Sequence, residues 1–167
     1  MSVISVDFFG TLNENAGFWQ EFLKYIILEG HRVYVISGPW PKDIEEKLES
    51  GKYKKGIHYT NVISLLHRMH LAGWGCWFDD VHGSWYSNEA AWWADKAEIC
   101  EELGCKIHFD SDARFSHAFR RVATRFISTV GSNGKEQIRK WHNDLKLSNT
   151  FDDYDEYAWM GQHFVPM

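Results

Sequence analysis

Two hydrophobic periods alternate along this chain, one typical of buried strands and one typical of helices. The segments with the strand pattern are short, apolar and rich in β-branched residues, and they cover residues 3–9, 31–38, 75–80, 105–112 and 124–130. The segments with apolar residues at helical spacing cover residues 18–30, 41–50, 60–73, 95–104, 113–123 and 135–146. Because strands that alternate with helices form parallel sheets covered on both faces, we predict an α/β fold, a Rossmann-like three-layer sandwich with a mainly parallel sheet.

The length of 167 residues fits one domain with its own core. We predict a single domain over residues 1–167, with the core at about 1–147 and a C-terminal tail at 148–167. The tail mixes acidic and aromatic residues without a clear period. It either drapes over the body or joins a subunit contact, so a homo-oligomer is left open.

Charge and cysteine content narrow the class of partner. The formal net charge of −5 argues against broad nucleic-acid binding, which needs a basic face. It does not argue against a small phosphorylated substrate, such as a phosphorylated metabolite or a nucleotide. The three cysteines form no C-x-x-C pair, and no apolar run is long enough to span a bilayer. We therefore expect a cytoplasmic protein without a membrane anchor.

Polar side chains follow several of the predicted strands where each strand ends: Asp7, Ser37, Asp110 and Asp112. In parallel sheets ligands bind beyond the carboxyl ends of the strands, at the topological switch point. Mg²⁺ takes one or two carboxylates together with water and phosphate oxygens. Asp7 with Asp110 or Asp112 meets that requirement, so the sequence predicts a magnesium site.

Neighbouring residues suit a phosphate group at the same place. Ser37 and Thr11 offer hydroxyl donors, Lys96 at a predicted helix start offers a positive charge, and Gly10 permits a sharp turn. Together these parts predict a phosphoryl-transfer site. Each residue alone also suits an ordinary cap, turn or surface position, so the prediction depends on their order and spacing.

The pattern resembles the haloacid dehalogenase (HAD) superfamily over residues 3–130. The first motif of that family, an apolar strand followed by D-x-D-G-T-[LV], is matched by VISVDFFGTL through Asp7, Gly10, Thr11 and Leu12. The second is a strand that ends in Ser or Thr, matched by VYVIS at Ser37, and the third is a lysine at the start of a helix, matched by Lys96. The fourth is a strand that ends in acids, matched by KIHFDSD.

The resemblance implies a small, capless or minimally capped Mg²⁺-dependent phosphohydrolase that acts on a phosphomonoester through an aspartyl-phosphate. It makes Asp7 the nucleophile and Lys96 its catalytic partner. It assigns Mg²⁺ to Asp7, the Phe9 backbone carbonyl, Asp110 and Asp112, and it assigns the substrate to Thr11, Ser37, Gly38 and Lys96.

Phe9 departs from the family pattern. Phosphatases of the family carry an aspartate there that protonates the leaving group, and the loss of a general acid–base typically costs about 10²–10⁴-fold in rate. A histidine is one substitute: His82, His108 or His117. The other interpretations are a leaving group that needs no proton, a dehalogenase-like attack at carbon, or a weakened relative that binds a phosphorylated ligand or partner.

Three further clusters have both a functional and a structural interpretation. His67 and His70 lie one turn apart, but no other ligands are evident, so we place them on a helix surface. Asp79, Asp80 and His82 form a rival acidic site or a loop that faces substrate. Trp85, Trp92 and Trp93 either stack on a base or pack against the sheet.

Overall fold

A computed structural model describes residues 1–130 of the chain. The strands are β1 Val3–Val6, β2 Arg32–Ser37, β3 Asn61–Ser64, β4 Trp77–Asp79, β5 Ser84–Tyr86, β6 Ile107–Asp110 and β7 Arg125–Ser128. The helices are α1 Ala16–Leu28, α2 Pro41–Ser50, α3 Leu65–Leu71 and α4 Glu89–Leu103. A kinked turn covers Phe8–Leu12, with non-helical backbone angles at Phe9 and Gly10, and a 3₁₀-helical segment covers Ala113–Arg121. The predicted helix 135–146 and the tail 148–167 lie outside the described residues, so the single-domain boundary stays a prediction.

Five strands form one sheet in the order β3-β2-β1-β6-β7, and all four pairings are parallel. The predicted α/β class with a parallel sheet is therefore confirmed, and the arrangement is compatible with a Rossmann-like fold. The chain builds outward from β1 through β2 to β3 and then crosses to β6. The strand order consequently reverses between β1 and β6, which makes their carboxyl ends the switch point.

Helices cover the sheet on both faces because apolar side chains leave each strand in alternation. One buried cluster joins the sheet to α1 and α2 through residues such as Phe22, Ile26 and Leu48. A second cluster joins it to α3, α4 and the 3₁₀ segment through residues such as Leu65 and Ile99. No helix within residues 1–130 is long and apolar enough to cross a membrane.

The predicted helix 60–73 is wrong over its first turn. Residues 61–64 instead form β3, which pairs with β2 in the register Val35↔Val62. The β-branched pair Val62 and Ile63 fits this pleated edge. Helix α3 begins only after Ser64, whose hydroxyl accepts a hydrogen bond from the His67 N–H at 3.1 Å.

The predicted strand 75–80 is not a strand of the parallel sheet. Its central residues form β4, which pairs antiparallel with β5 in a separate two-stranded hairpin. Residues 81–90, which lie outside every predicted strand and helix, thus contain a strand. Side chains of this hairpin are exposed or half-buried, so the segment lacks the burial of a central parallel strand.

Helix α4 begins at Glu89 rather than at Asp95 as predicted. The Asn88 side chain caps it by accepting a hydrogen bond from the Ala91 N–H at 2.9 Å. Lys96 therefore lies about two turns inside the helix and not at its start. Because Lys96 lies in the middle of the helix, the partial positive charge of the helix N-terminus does not add to the charge of its side chain.

Candidate functional site

Asp7 follows the central strand of the sheet directly. Its N–H donates to the Phe109 carbonyl at 2.9 Å, which continues the β1–β6 ladder by one residue. The chain then bends away in a turn where Gly10 has a φ of 75°. A Cβ atom at position 10 would clash with Ser111 Oγ, and the positive φ disfavours any other residue, so glycine suits this close approach between two loops.

Lys96 reaches from α4 to both carboxylates at the switch point. Its Nζ lies 3.1 Å from Asp7 Oδ1 and 2.6 Å from Asp110 Oδ2. The Lys96 side chain is 2% exposed, and its Nζ lies 4.0 Å from the centre of the Phe115 ring. The structure thus brings together Asp7, Lys96 and Asp110 in one buried ion-pair cluster.

Burial and charge act in opposite directions on these groups. Burial raises the pKa of Asp7 to about 6, although the Lys96 charge opposes the shift. Burial also works against ionised Asp110, but Lys96 and His108 lower the pKa of that carboxyl well below its usual range. Burial favours neutral Lys96, yet the two carboxylates raise its pKa. With all three groups charged, the cluster carries one net negative charge.

His108 forms a hydrogen bond with Asp110 and orients its carboxylate. Its Nε2 lies 3.0 Å from Asp110 Oδ2, and its Nδ1 lies 2.8 Å from Ser5 Oγ. Burial lowers the pKa of His108, so the ring is neutral at pH 7. Since the ionised carboxylate can only accept, Nε2 carries the proton and Nδ1 accepts from Ser5. Sequence reasoning missed this contact, although residues two apart on a strand share a face.

Ser37 ends β2 with a buried hydroxyl group. Among residues 1–130 its Oγ has no hydrogen-bond partner. A buried hydroxyl without a partner is costly, and this one lies at the end of the strand that pairs with β1, where it leaves a donor for a ligand. Gly38 follows directly, and a Cβ atom there would lie 3.0 Å from the Trp92 ring. The ring therefore borders the backbone beside Ser37.

The remaining predicted substrate and metal residues have partners of their own. Thr11 Oγ1 lies 3.2 Å from Thr129 Oγ1, so this hydroxyl is engaged with the loop after β7. The Phe9 carbonyl accepts a hydrogen bond from Ser111 Oγ at 3.0 Å. The Phe9 ring is 39% exposed and packs edge-on against Phe8 at 5.2 Å between centroids.

Asp112 does not join the cluster through its carboxylate. That group forms an ion pair with the Arg114 guanidinium at 2.8 Å and accepts the Arg114 N–H at 3.1 Å. The Asp112 N–H instead donates to Asp110 Oδ1 at 2.9 Å. No group of three or more His, Cys, Asp or Glu side chains within residues 1–130 is arranged to hold a metal ion.

The other histidine and acid candidates lie elsewhere. His82 pairs with Asp79 at the tip of the β4–β5 hairpin, at 2.5 Å between Nδ1 and Oδ2, and the side chain of His82 is 68% exposed. His117 borders a groove between α4 and the 3₁₀ segment. The His70 ring packs against Trp40 at 6.2 Å. Of the three histidines proposed as substitutes for an acid–base, only His108 contacts the cluster, and it does so from behind Asp110.

Comparisons with known proteins add no family to this picture, because no family model, curated protein or solved structure matches the chain. The fold and the site alone define the class: an α/β protein with a parallel sheet and a buried carboxylate–lysine–carboxylate cluster at its switch point.

Proposed function

We propose that this protein is a HAD-like, Mg²⁺-dependent phosphohydrolase that acts on a phosphomonoester through an aspartyl-phosphate at Asp7. One observation carries the proposal. Lys96 lies between the buried carboxylates of Asp7 and Asp110, and the strand next to β1 ends at Ser37, whose buried hydroxyl has no partner among the described residues. A lysine, a hydroxyl donor and a carboxylate nucleophile are the groups that phosphoryl transfer requires.

The reaction divides into two displacements at phosphorus. A carboxylate oxygen of Asp7 attacks, the bond between phosphorus and the ester oxygen breaks, and the leaving oxygen takes its proton from water. A second water then attacks the phosphoryl group, which releases inorganic phosphate and restores the carboxylate. Ser37 donates a hydrogen bond to a phosphoryl oxygen and Lys96 offsets its charge, while Gly38 and Thr11 shape the surrounding backbone.

The charge of the cluster favours a divalent cation. Two carboxylates and one ammonium leave a net negative charge, which would repel a phosphate dianion. Mg²⁺ needs only one or two carboxylates together with water and phosphate oxygens, so Asp7, Asp110 and the Phe9 carbonyl would hold it without the Asp112 carboxylate, through lone pairs other than those that accept from Ser111 Oγ and the Asp112 N–H. Bound there, Mg²⁺ would supply the positive charge that lets the anion approach. Asp112 contributes by holding Asp110 through its backbone N–H.

The test is a crystal of the full chain soaked with Mg²⁺ and beryllofluoride, a phosphate mimic that attaches to aspartates. We expect the metal and the anion together between Asp7, Ser37, Lys96 and Asp110. The Asp7→Asn variant, soaked in the same way, is the matched control and should hold no anion. An anion bound elsewhere, or a site that stays empty at saturating ligand, would overturn the proposal.

A second candidate function is the binding of a phosphorylated ligand with little or no turnover. The observation that favours it is the Phe9 side chain, which has no proton to give, together with the position of His108 behind Asp110. Calorimetric titration with Mg²⁺ and a slowly hydrolysed phosphonate distinguishes the two. Tight binding without hydrolysis of any phosphomonoester supports the binding protein, and measurable Mg²⁺-dependent turnover supports the enzyme.

A further inference from the structure

A cavity of about 760 Å³ lies between the β4–β5 hairpin and the first turns of α4. This volume is within the usual range of small-molecule sites. Five aromatic rings and one guanidinium group line it: Trp77, Trp85, Tyr86, Trp92, Trp93 and Arg114. Polar side chains from the segment between the hairpin and α4 complete the lining.

The walls of this aromatic cavity are held in place by contacts outside it. The Trp85 ring packs edge-on against Trp40 at 5.5 Å, and Trp40 follows β2 closely in the chain. The rings of Trp77 and Tyr86 stack on each other across the hairpin at 6.3 Å. Ser87 Oγ donates to the Gly75 carbonyl at 2.9 Å and ties the two ends of the hairpin together. The cavity is thus largely preformed.

The exposed rings remain open to a ligand. Trp77 is 54% exposed, and Trp85 and Tyr86 are each 41% exposed. Large aromatic surfaces left open on one cavity indicate a binding site. Flat aromatic walls favour a flat ligand, since ring faces stack with little loss of conformational freedom.

Arg114 adds hydrogen-bond donors to the aromatic lining, so the cavity selects its ligand more narrowly than an apolar cavity would. Its guanidinium carbon lies 4.4 Å from the centre of the Trp93 ring, and its bidentate pair with Asp112 fixes the plane of the group. A held guanidinium donates to ring nitrogen and carbonyl acceptors. A nucleobase has both features that this wall selects, a π face and acceptor atoms at its edge.

The aromatic cavity lies next to the ion-pair cluster, with aromatic rings between them. The Phe115 ring lies 4.0 Å from Lys96 Nζ and 4.7 Å from the Trp93 ring, which lines the cavity. The Trp92 ring lines the cavity and also borders Gly38, which follows Ser37 in the chain. The cavity is therefore adjacent to the proposed phosphoryl-transfer site.

We propose that the aromatic cavity binds a nucleobase, so that the substrate of the proposed site is a nucleoside monophosphate. The phosphoryl group lies at Asp7, the base stacks on the hairpin tryptophans, and the ribose bridges the two. The base site stands on the cavity alone, whereas the identity of the substrate rests on the proposed phosphohydrolase function.

The experiment is calorimetric titration of the full chain with adenosine, a probe that carries a base and no phosphate. We expect binding that weakens roughly tenfold or more in the Trp85→Ala variant, the size of effect that loss of a stacking ring produces. The Trp85→Phe variant keeps a ring and should bind within a few-fold of the wild type, which separates stacking from misfolding. Trp74→Ala removes an exposed tryptophan that is not part of the lining and should leave binding unchanged.

Hydrolysis assays separate this inference from the function on which it partly rests. If ribose 5-phosphate and adenosine monophosphate are hydrolysed equally and Trp85→Ala changes neither, the phosphohydrolase stands and the base site is refuted. If adenosine binds through Trp85 but no phosphomonoester is hydrolysed, the base site stands and the phosphohydrolase falls. If Trp85→Ala instead converts a dimer to a monomer and adenosine binds neither form, the cavity is a subunit contact and the inference is overturned.

Discussion

The Lys96 ammonium nitrogen lies 2.6 Å from Asp110 Oδ2, with both side chains almost fully buried. The same nitrogen lies 3.1 Å from Asp7 Oδ1, so one cation offsets the charge of two carboxylates that are buried away from water. Isolated charges are very costly in such surroundings, so each carboxylate depends on the lysine and the lysine depends on both carboxylates. The cluster is therefore expected to dominate the response of the protein to charge-removing substitutions.

Lys96→Met should strongly destabilise the fold, because it leaves two buried carboxylates without their cation. Breaking a buried ion pair from one side costs about 3–5 kcal/mol, which urea denaturation at pH 7 will measure as a loss in the free energy of unfolding. The control is Lys42→Met, since Lys42 is 86% exposed and its pair with Glu46 spans 4.0 Å. That change should stay within about 0.5 kcal/mol. Equal effects of the two substitutions would contradict the assigned cluster.

Asp7→Asn should gain stability relative to the wild type as the pH rises from about 4 to about 6.5. The folded-state pKa of Asp7 is raised from 3.8 to about 6, so in this window the folded wild type holds a proton that the unfolded chain has lost. Stability of the wild type must then fall as the pH rises, by about 3 kcal/mol at most, and Asn avoids this loss. Asp110 titrates below the window, because its pKa is lowered.

Urea denaturation of both proteins at several pH values will measure this difference. A stability difference that stays flat from pH 4 to pH 6.5 would show that Asp7 is not destabilised by burial. The Ser50→Ala variant, which changes an exposed residue of α2 that has no titratable group, is the control and should show no such dependence.

Gly10→Ala should destabilise the protein more than the same change at another left-handed glycine. The φ of 75° strains any L-residue, and the added Cβ would lie 2.3 Å from Ser111 Oγ. We expect a loss of about 1–3 kcal/mol in thermal or urea denaturation. Gly30 is the matched control, because its φ is 88° but a Cβ atom added there would meet nothing within 4 Å. Equal losses of stability at both glycines would mean that the loop containing Ser111 moves to accommodate the added Cβ atom at no cost.

The convergence of Asp7 and Asp110 was predictable because both follow strands whose carboxyl ends meet at one sheet edge. The β3 strand was not, since the apolar pattern of residues 61–64 continues without a break into the helical pattern of α3. The start of α4 was not predictable, because Trp92 and Trp93 are as typical of a loop or a pocket wall as of a helix. In the structure both tryptophans belong to the helix.

Asp112, a predicted metal ligand, lies apart from the ion-pair cluster because a neighbouring side chain competes for its carboxylate. Arg114 comes two residues after Asp112, and its guanidinium forms a bidentate pair with the Asp112 carboxylate. The carboxylate is therefore engaged locally and does not join the more distant cluster. The His108–Asp110 contact was missed, although strand alternation places both side chains on the same face of the sheet. Such pairwise choices depend on tertiary neighbours, which a hydrophobic pattern does not specify.

Phe9→Asp should raise phosphomonoester turnover, because it introduces the proton donor that the proposed reaction lacks. General acid–base catalysis typically contributes about 10²–10⁴-fold, and the backbone carbonyl of residue 9 stays available to a metal. The Phe9 ring is 39% exposed, so a polar side chain there is expected to cost little stability. Phe9→Asn is the matched control, since it has the same size and polarity but no titratable proton. Steady-state assays with Mg²⁺ should show a gain in kcat for the aspartate variant alone. No gain in the aspartate variant would mean either that another group already supplies the proton or that the protein does not hydrolyse phosphomonoesters, and the second outcome supports the binding function.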